Sequence, residues 1–219
     1  PESTIEYYRH LIAEFRAAAP DAGYPPFLVN SIDLTRMIGY VERGELQALV
    51  PYLAGAAARR AAAGADFAAF ASNTPHIVFE EVARRSPIPL VSIVEATRDA
   101  AAAQGLKRLG LFGTRFTMQG TFYSRVFEER GLSVVVPRPD EQEYIREKYF
   151  SELVKGVVQA ETRERLVAIA RQLCERDGAS GIILGGTELP LILRGASDAG
   201  VPFLDTTMIH VKRLVAEML

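Results

Sequence analysis

Two stretches, Gly64-Ala-Asp-Phe-Ala-Ala-Phe-Ala-Ser72-Asn73-Thr74-Pro75-His76 and Gly178-Ala-Ser-Gly-Ile-Ile-Leu-Gly-Gly186-Thr187-Glu188-Leu-Pro190, follow one plan. Each has a glycine, a short apolar run that reads as a buried strand, and a polar turn with a threonine and a proline. Buried strands that empty into polar turns before helices are the pattern of a parallel α/β sheet. Such sheets present their functional loops at the carboxyl ends of the strands. The repeated plan predicts two similar doubly wound lobes, each a mostly parallel sheet flanked by helices. Each lobe gives one loop to a cleft between them.

The flanking sequence keeps the same rhythm. Before the first stretch, residues 3–17 carry a helical stripe (Ile5, Tyr8, Leu11, Ile12, Phe15) behind a Ser3 or Thr4 cap. Phe27–Asn30 reads as a short strand after Pro25-Pro26, and residues 45–63 as an Ala-rich helix. After the Ser72 loop come a helix over 76–85, a strand over 88–92 and a helix through Gln104. The second half repeats this with strands at 109–112, 133–136, 181–184 and 202–205. Its helices fall at 120–130, 140–155, 162–177 and 207–218. Strands alternating with helices of ten or more residues argue for parallel sheets covered on both faces. The expected division is residues 1–93 with a returning 205–219 as one lobe and 94–204 as the other. A doubly wound lobe ordinarily begins with a strand feeding its first helix, so about a dozen residues are expected before Pro1.

Bulk properties exclude several classes. The chain has 219 residues, 48% apolar and 24% charged, with a formal net charge of −2, which gives no footing for a nucleic-acid or membrane partner. No apolar run approaches the roughly 20 residues that span a bilayer, and residues 1–10 do not read as a signal peptide. A cytoplasmic protein is expected. The single cysteine, Cys174, falls on a helical segment as a small packing residue, away from the loop or helix start where thiols become reactive. No His, Cys, Asp or Glu spacing suggests a metal, and no glycine-rich phosphate loop occurs. No cofactor is expected.

Candidate site residues follow from the strand ends. Asn30 and Ser31, at the end of the expected 27–30 strand, are placed to line the cleft. Thr114 and Thr117, in a strand-to-helix turn, suit a carboxylate held by backbone N–H groups, although helix capping alone would account for them. Of the three histidines, His76 and His210 lie near expected strand ends and suit acid/base work near neutral pH. A satisfied structural histidine is the competing reading for both. His10 reads as a surface residue.

The chain resembles the aspartate/glutamate racemase family, which inverts amino acids without pyridoxal phosphate. The similarity rests on Pro1–Tyr8, Asn30-Ser-Ile-Asp33, Leu111-Phe-Gly-Thr-Arg-Phe-Thr-Met118, Tyr149-Phe-Ser-Glu-Leu-Val-Lys-Gly156, Asp205-Thr-Thr-Met-Ile-His210 and the two loops quoted first. The resemblance implies a homodimer that binds a small amino or dicarboxylic acid. It implies substrate-binding roles for Asn73, Thr74, Thr187 and Glu188, with a first-turn acid at the helix dipole as the other reading of Glu188. It also implies carboxylate-binding roles for Lys155 and, on a looser match, Arg36, and supporting roles for His76 and His210.

In that family each loop carries a cysteine. Inverting a stereocentre needs an acid and a base on opposite sides of Cα, and tunable thiols suit both tasks. Here Ser72 and Gly186 stand at those positions. A serine hydroxyl is a poor base unless a neighbour activates it, and glycine has no side chain. Three readings stay open: Cα proton transfer by a non-standard pair drawn from Ser72, His76, His210 and Glu188; a non-catalytic carboxylate-binding protein; and a different lyase or isomerase on the same scaffold. The missing side chain at Gly186 also predicts added space for a ligand larger than aspartate.

Overall fold

The structure, a computed structural model, describes residues 2–194 and 200–219. Pro1, the first residue of the quoted N-terminal motif, lies outside them. In chain order the elements are α1 (Glu2–Ala18), α2 (Leu34–Glu42), α3 (Leu46–Ala62), β1 (Ala68–Ala69), a 3-10 turn (Thr74–Val78), α4 (Phe79–Arg85), β2 (Leu90–Val91) and α5 (Ile93–Ala103). There follow β3 (Arg108–Gly113), α6 (Arg115–Gln119), α7 (Phe122–Glu128), β4 (Ser133–Val135), α8 (Pro139–Ser151) and a second 3-10 turn (Leu153–Lys155). The chain closes with α9 (Ala160–Asp177), β5 (Gly181–Gly185), α10 (Leu189–Leu193), β6 (Phe203–Asp205) and α11 (Thr206–Met218).

Both sheets are parallel, as the alternation requires. β1 pairs with β2, and the larger sheet has the order β4-β3-β5-β6. In the larger sheet Leu109 lies opposite Gly181 and Gly113 opposite Gly185. Successive side chains point to opposite faces. Leu109, Leu111, Ile183 and Leu204 therefore pack with α5 and α7 through Ile93, Phe122, Tyr123 and Phe127. Phe112, Ile182 and Leu184 pack with α8, α9 and α10 on the other face. Cys174 is half-buried against that second cluster.

The smaller sheet is covered on one side by α1 and α11, through Tyr7, Leu11, Phe15, Val211, Leu214 and Val215. On the other, Met37, Val41, Leu49, Leu53 and Val82 join α2, α3 and α4. Thus β6 pairs in the larger sheet, while α11, which it feeds, packs over the smaller one.

Several elements differ from expectation. Phe27–Asn30 forms no strand. A strand needs a ladder partner, and this stretch instead lays Phe27 on Tyr8, with ring centroids 5.1 Å apart, and leaves Leu28 and Val29 exposed. β1 and β2 are only two residues each, because Pro89 can give its carbonyl to the Ala68 N–H but has no N–H to return. The expected helix at 76–85 starts as a 3-10 turn with Pro75 in its first positions, and the one at 120–130 is shortened to α7, Phe122–Glu128, with Gly120 separating it from the unexpected α6. The helix over 140–155 ends at Ser151, and a separate turn carries Lys155. Helix α2 was not anticipated. Asp33 caps it by accepting from the Arg36 N–H at 3.2 Å, and Met37 and Val41 bury its inner face. Helix α10 was missed as well.

Candidate functional site

Because all strands are parallel, the loops after β1, β3, β5 and β6 leave the carboxyl edges of their sheets. Those loops are Ser72–Thr74, Thr114–Thr117, Gly186–Glu188 and the start of α11 at Thr206. The two sheets meet there. Thr74 Oγ1 lies 3.4 Å from Thr114 Oγ1, and Asn73 Nδ2 donates to Thr206 Oγ1 at 3.3 Å. Thr206 in turn donates to the Leu184 carbonyl at 2.8 Å. The Tyr123 hydroxyl donates to Asn73 Oδ1 at 2.6 Å, so this buried asparagine ties three elements together.

Thr114 caps α6 by accepting from the Thr117 N–H at 3.3 Å, with the two hydroxyls 3.1 Å apart. The Thr117 side chain rests on the ends of β3 and β5. A Cβ at Gly113 would stand 2.9 Å from Thr117 Cβ, and one at Gly185 3.0 Å from Thr117 Cγ2. Only glycine permits that approach.

The two loops differ. On the first, Ser72 is half-buried, and its carbonyl accepts from His76 Nδ1 at 3.1 Å. On the second, Gly186 is buried under the Tyr149 ring. A Cβ at position 186 would stand 2.5 Å from Tyr149 Cε2 and 3.2 Å from its hydroxyl oxygen. This overturns the expectation of added space: the volume a side chain would take is already filled by Tyr149. The Tyr149 hydroxyl donates to Glu188 Oε2, and Thr187 Oγ1 donates to the same oxygen at 2.8 Å. Burial, and next the neighbouring Glu188 charge, push the Tyr149 phenol well above its ordinary value.

The two candidate histidines are held by their hydrogen bonds. The Ile93 N–H donates to His76 Nε2 at 3.3 Å, so the His76 proton sits on Nδ1, facing the Ser72 carbonyl. His210 Nε2 donates to the Val91 carbonyl at 3.1 Å, and Nδ1 accepts from the Tyr7 hydroxyl at 2.7 Å. Both rings are buried and neutral. Burial, then the nearby His210, lowers His76 to about 3, and burial lowers His210 to about 4. Together they grip the joint between β2 and α5, and with all four ring nitrogens engaged neither meets a ligand in this arrangement.

The remaining candidates stand apart from this network. Asn30 and Ser31 are exposed. Arg36 is exposed on α2, donating to the Tyr40 hydroxyl at 3.1 Å and lying 4.8 Å from the Tyr52 ring centre. Lys155 is exposed at the end of its turn, which packs on α8 and α10. His10 is half-buried and bonded to Glu6, not free on the surface. Tyr149, Tyr123, Tyr7 and Thr206 belong to the network but were not singled out from sequence. Among the described residues no group of three His, Cys, Asp or Glu is placed to hold a metal, and no helix is long and apolar enough to cross a membrane.

Parallel α/β sheets whose strand ends meet across hydroxyl-rich loops define a class of proteins that hold a small ligand between two halves. The chain belongs to the Asp/Glu/hydantoin racemase family, whose model matches residues 1–214. It is 31% identical to an Asp/Glu racemase candidate from Yersinia pestis, whose crystal structure superposes with a TM-score of 0.90 over 99% of this chain and 94% of that one. It is 35% identical to an aspartate racemase homologue from Pyrococcus horikoshii OT3, with a TM-score of 0.86 over 100% of this chain and 94% of that one. A broad specificity amino-acid racemase of Bacillus subtilis (strain 168) is 26% identical over 158 residues, 71% of this chain and 66% of that protein. The chain thus spans just under two thirds of that relative's length.

Proposed function

We propose that this protein binds a small amino or dicarboxylic acid between the Ser72–Thr74 and Gly186–Glu188 loops and transfers the proton on its Cα. One observation carries the reading: Thr74 meets Thr114 at 3.4 Å while Asn73 reaches Thr206, so polar strand ends of both sheets converge on one place. Hydroxyls and helix-start N–H groups at Thr74, Thr114, Thr117 and Thr187 suit a carboxylate. In this reading Arg36 and Lys155 supply positive charge, and Asn30 and Ser31 polar groups, from exposed positions outside that network. In this reading residues 1–93 with 205–219 form one lobe and 94–204 the other. The similarity to amino-acid racemases supports the ligand class.

The reading excludes a two-thiol mechanism, since Ser72 and Gly186 occupy the two family cysteine positions. It calls on no cofactor and takes the protein as a cytoplasmic homodimer, to be checked by sedimentation against the 24.0 kDa chain mass. Incubation in deuterated water with both enantiomers of aspartate, glutamate and alanine tests it. Deuterium at Cα is expected for at least one. Stabilisation by these acids without exchange would favour the second reading, a carboxylate-binding protein without turnover. That alternative draws on the two saturated histidines. No stabilisation and no exchange would remove both.

A further inference from the structure

The second wall lacks a side chain at 186 but not a proton carrier. The Tyr149 hydroxyl oxygen lies 3.2 Å from where a Cβ at Gly186 would be, which is the neighbourhood a thiol on that Cβ would occupy. Packing alone does not need this hydroxyl, because phenylalanine would cover Gly186 equally well. Instead the hydroxyl is aimed at Glu188 Oε2, and Thr187 steadies the same oxygen at 2.8 Å. A phenol set between the Gly186 backbone and a carboxylate can pass a proton without ever carrying a full charge. Thr187 and Glu188 are half-exposed, which gives the carboxylate a path for exchange with solvent.

We propose that Tyr149, backed by Glu188, is the catalytic proton-transfer group on the Gly186 wall, exchanging hydrogen with Cα of a bound amino acid from that side. This rests on the ligand reading above. In the forward step the Cα–H bond breaks and its electron pair moves into the substrate carboxylate, giving an enediolate. The released proton bonds to Tyr149 Oη as the Tyr149 hydroxyl proton passes to Glu188 Oε2. The charge gained by the substrate equals the charge lost by Glu188. Reversal returns a proton to Cα from the same side. After Glu188 has exchanged with solvent, that proton is solvent-derived. One-sided exchange retains configuration; inversion needs delivery from the Ser72 wall.

The test follows Cα deuteration of the enantiomers of aspartate, glutamate and alanine by wild type, Tyr149→Phe and Glu188→Gln, with ligand-induced thermal shifts measured in parallel. Wild type is expected to deuterate one enantiomer faster than it racemises it. Y149F and E188Q are each expected to lose about 100-fold or more of that exchange, the scale of a general acid or base, while ligand stabilisation persists. Undiminished exchange in Y149F overturns the proposal and leaves the ligand reading standing. If Y149F does not fold, E188Q decides on the same criterion. A wild type that is stabilised by the acids but exchanges none overturns the proposal together with the proton transfer it rests on, and leaves only the ligand binding. A wild type that does neither overturns the ligand reading too.

Discussion

The Tyr149 ring lies across Gly186 so closely that a Cβ there would stand 2.5 Å from Tyr149 Cε2. The glycine and the tyrosine, 37 positions apart in sequence, therefore occupy one volume between them. Reinstating a side chain at 186 is a packing problem before it is a chemical one.

Gly186→Ala is expected to destabilise the fold by about 1–3 kcal/mol, the ordinary cost of overpacking a filled site. In a Tyr149→Ala background the same substitution is expected to cost close to nothing. Urea unfolding of the four proteins of this cycle checks the coupling. An equal penalty in both backgrounds would sever the link between the two residues.

Acid is expected to weaken the fold through His76 and His210. Their folded values, about 3 and about 4, lie below the ordinary 6.5. Between those limits the unfolded chain binds protons that the folded chain refuses, so stability falls as pH drops below about 6.5. Each imidazole contributes a slope of about 1.4 kcal/mol per pH unit within its window. Melting temperatures of wild type and His210→Gln from pH 7.5 to 4.5 test this; the variant is expected to show the shallower acid limb.

Asn73→Ala is expected to cost about 1–2 kcal/mol, because it removes the acceptor of the buried Tyr123 hydroxyl as well as the bond to Thr206. Pairing it with Tyr123→Phe is expected to recover part of that loss. Denaturant midpoints of the single and double variants are the readout. A purely additive pair would count against the tie.

Cys174→Ser is expected to leave Cα exchange within about two-fold of wild type. The thiol is half-buried on α9, and burial raises it, away from the reactive thiolate range. Rate loss on this substitution, or on alkylation of the folded protein, would bring the thiol into the chemistry.

The parallel fold was legible because Ile182–Leu184 and Leu109–Phe112 are short apolar runs bounded by turn residues, and such a signal is local. The strand-end loops were legible for the same reason, down to Thr114 as the cap of α6. What escaped was relational. Nothing in the spacing of Tyr149 and Gly186 announces that one fills the other's space. The partners of His76 and His210, at Ile93 and Val91, are equally invisible until the chain has folded. Phe27–Asn30 misled because strand propensity says nothing about the presence of a neighbour. Asp33 followed by the Leu34, Met37, Ile38 and Val41 stripe does carry a helix signal, but a faint one, since the helix is only nine residues long.

The Tyr7–His210 bond joins residues separated by 203 positions, and α1 buries its apolar face chiefly against α11. During synthesis α1 leaves the ribosome long before the helix that shelters it. At about 5–20 residues per second, the amphipathic face of α1 stays uncovered for roughly ten seconds or more. Contacts of such long range also slow folding. The vulnerable interval for this chain is therefore its own translation, when an early helix awaits a late one and a chaperone has its opening.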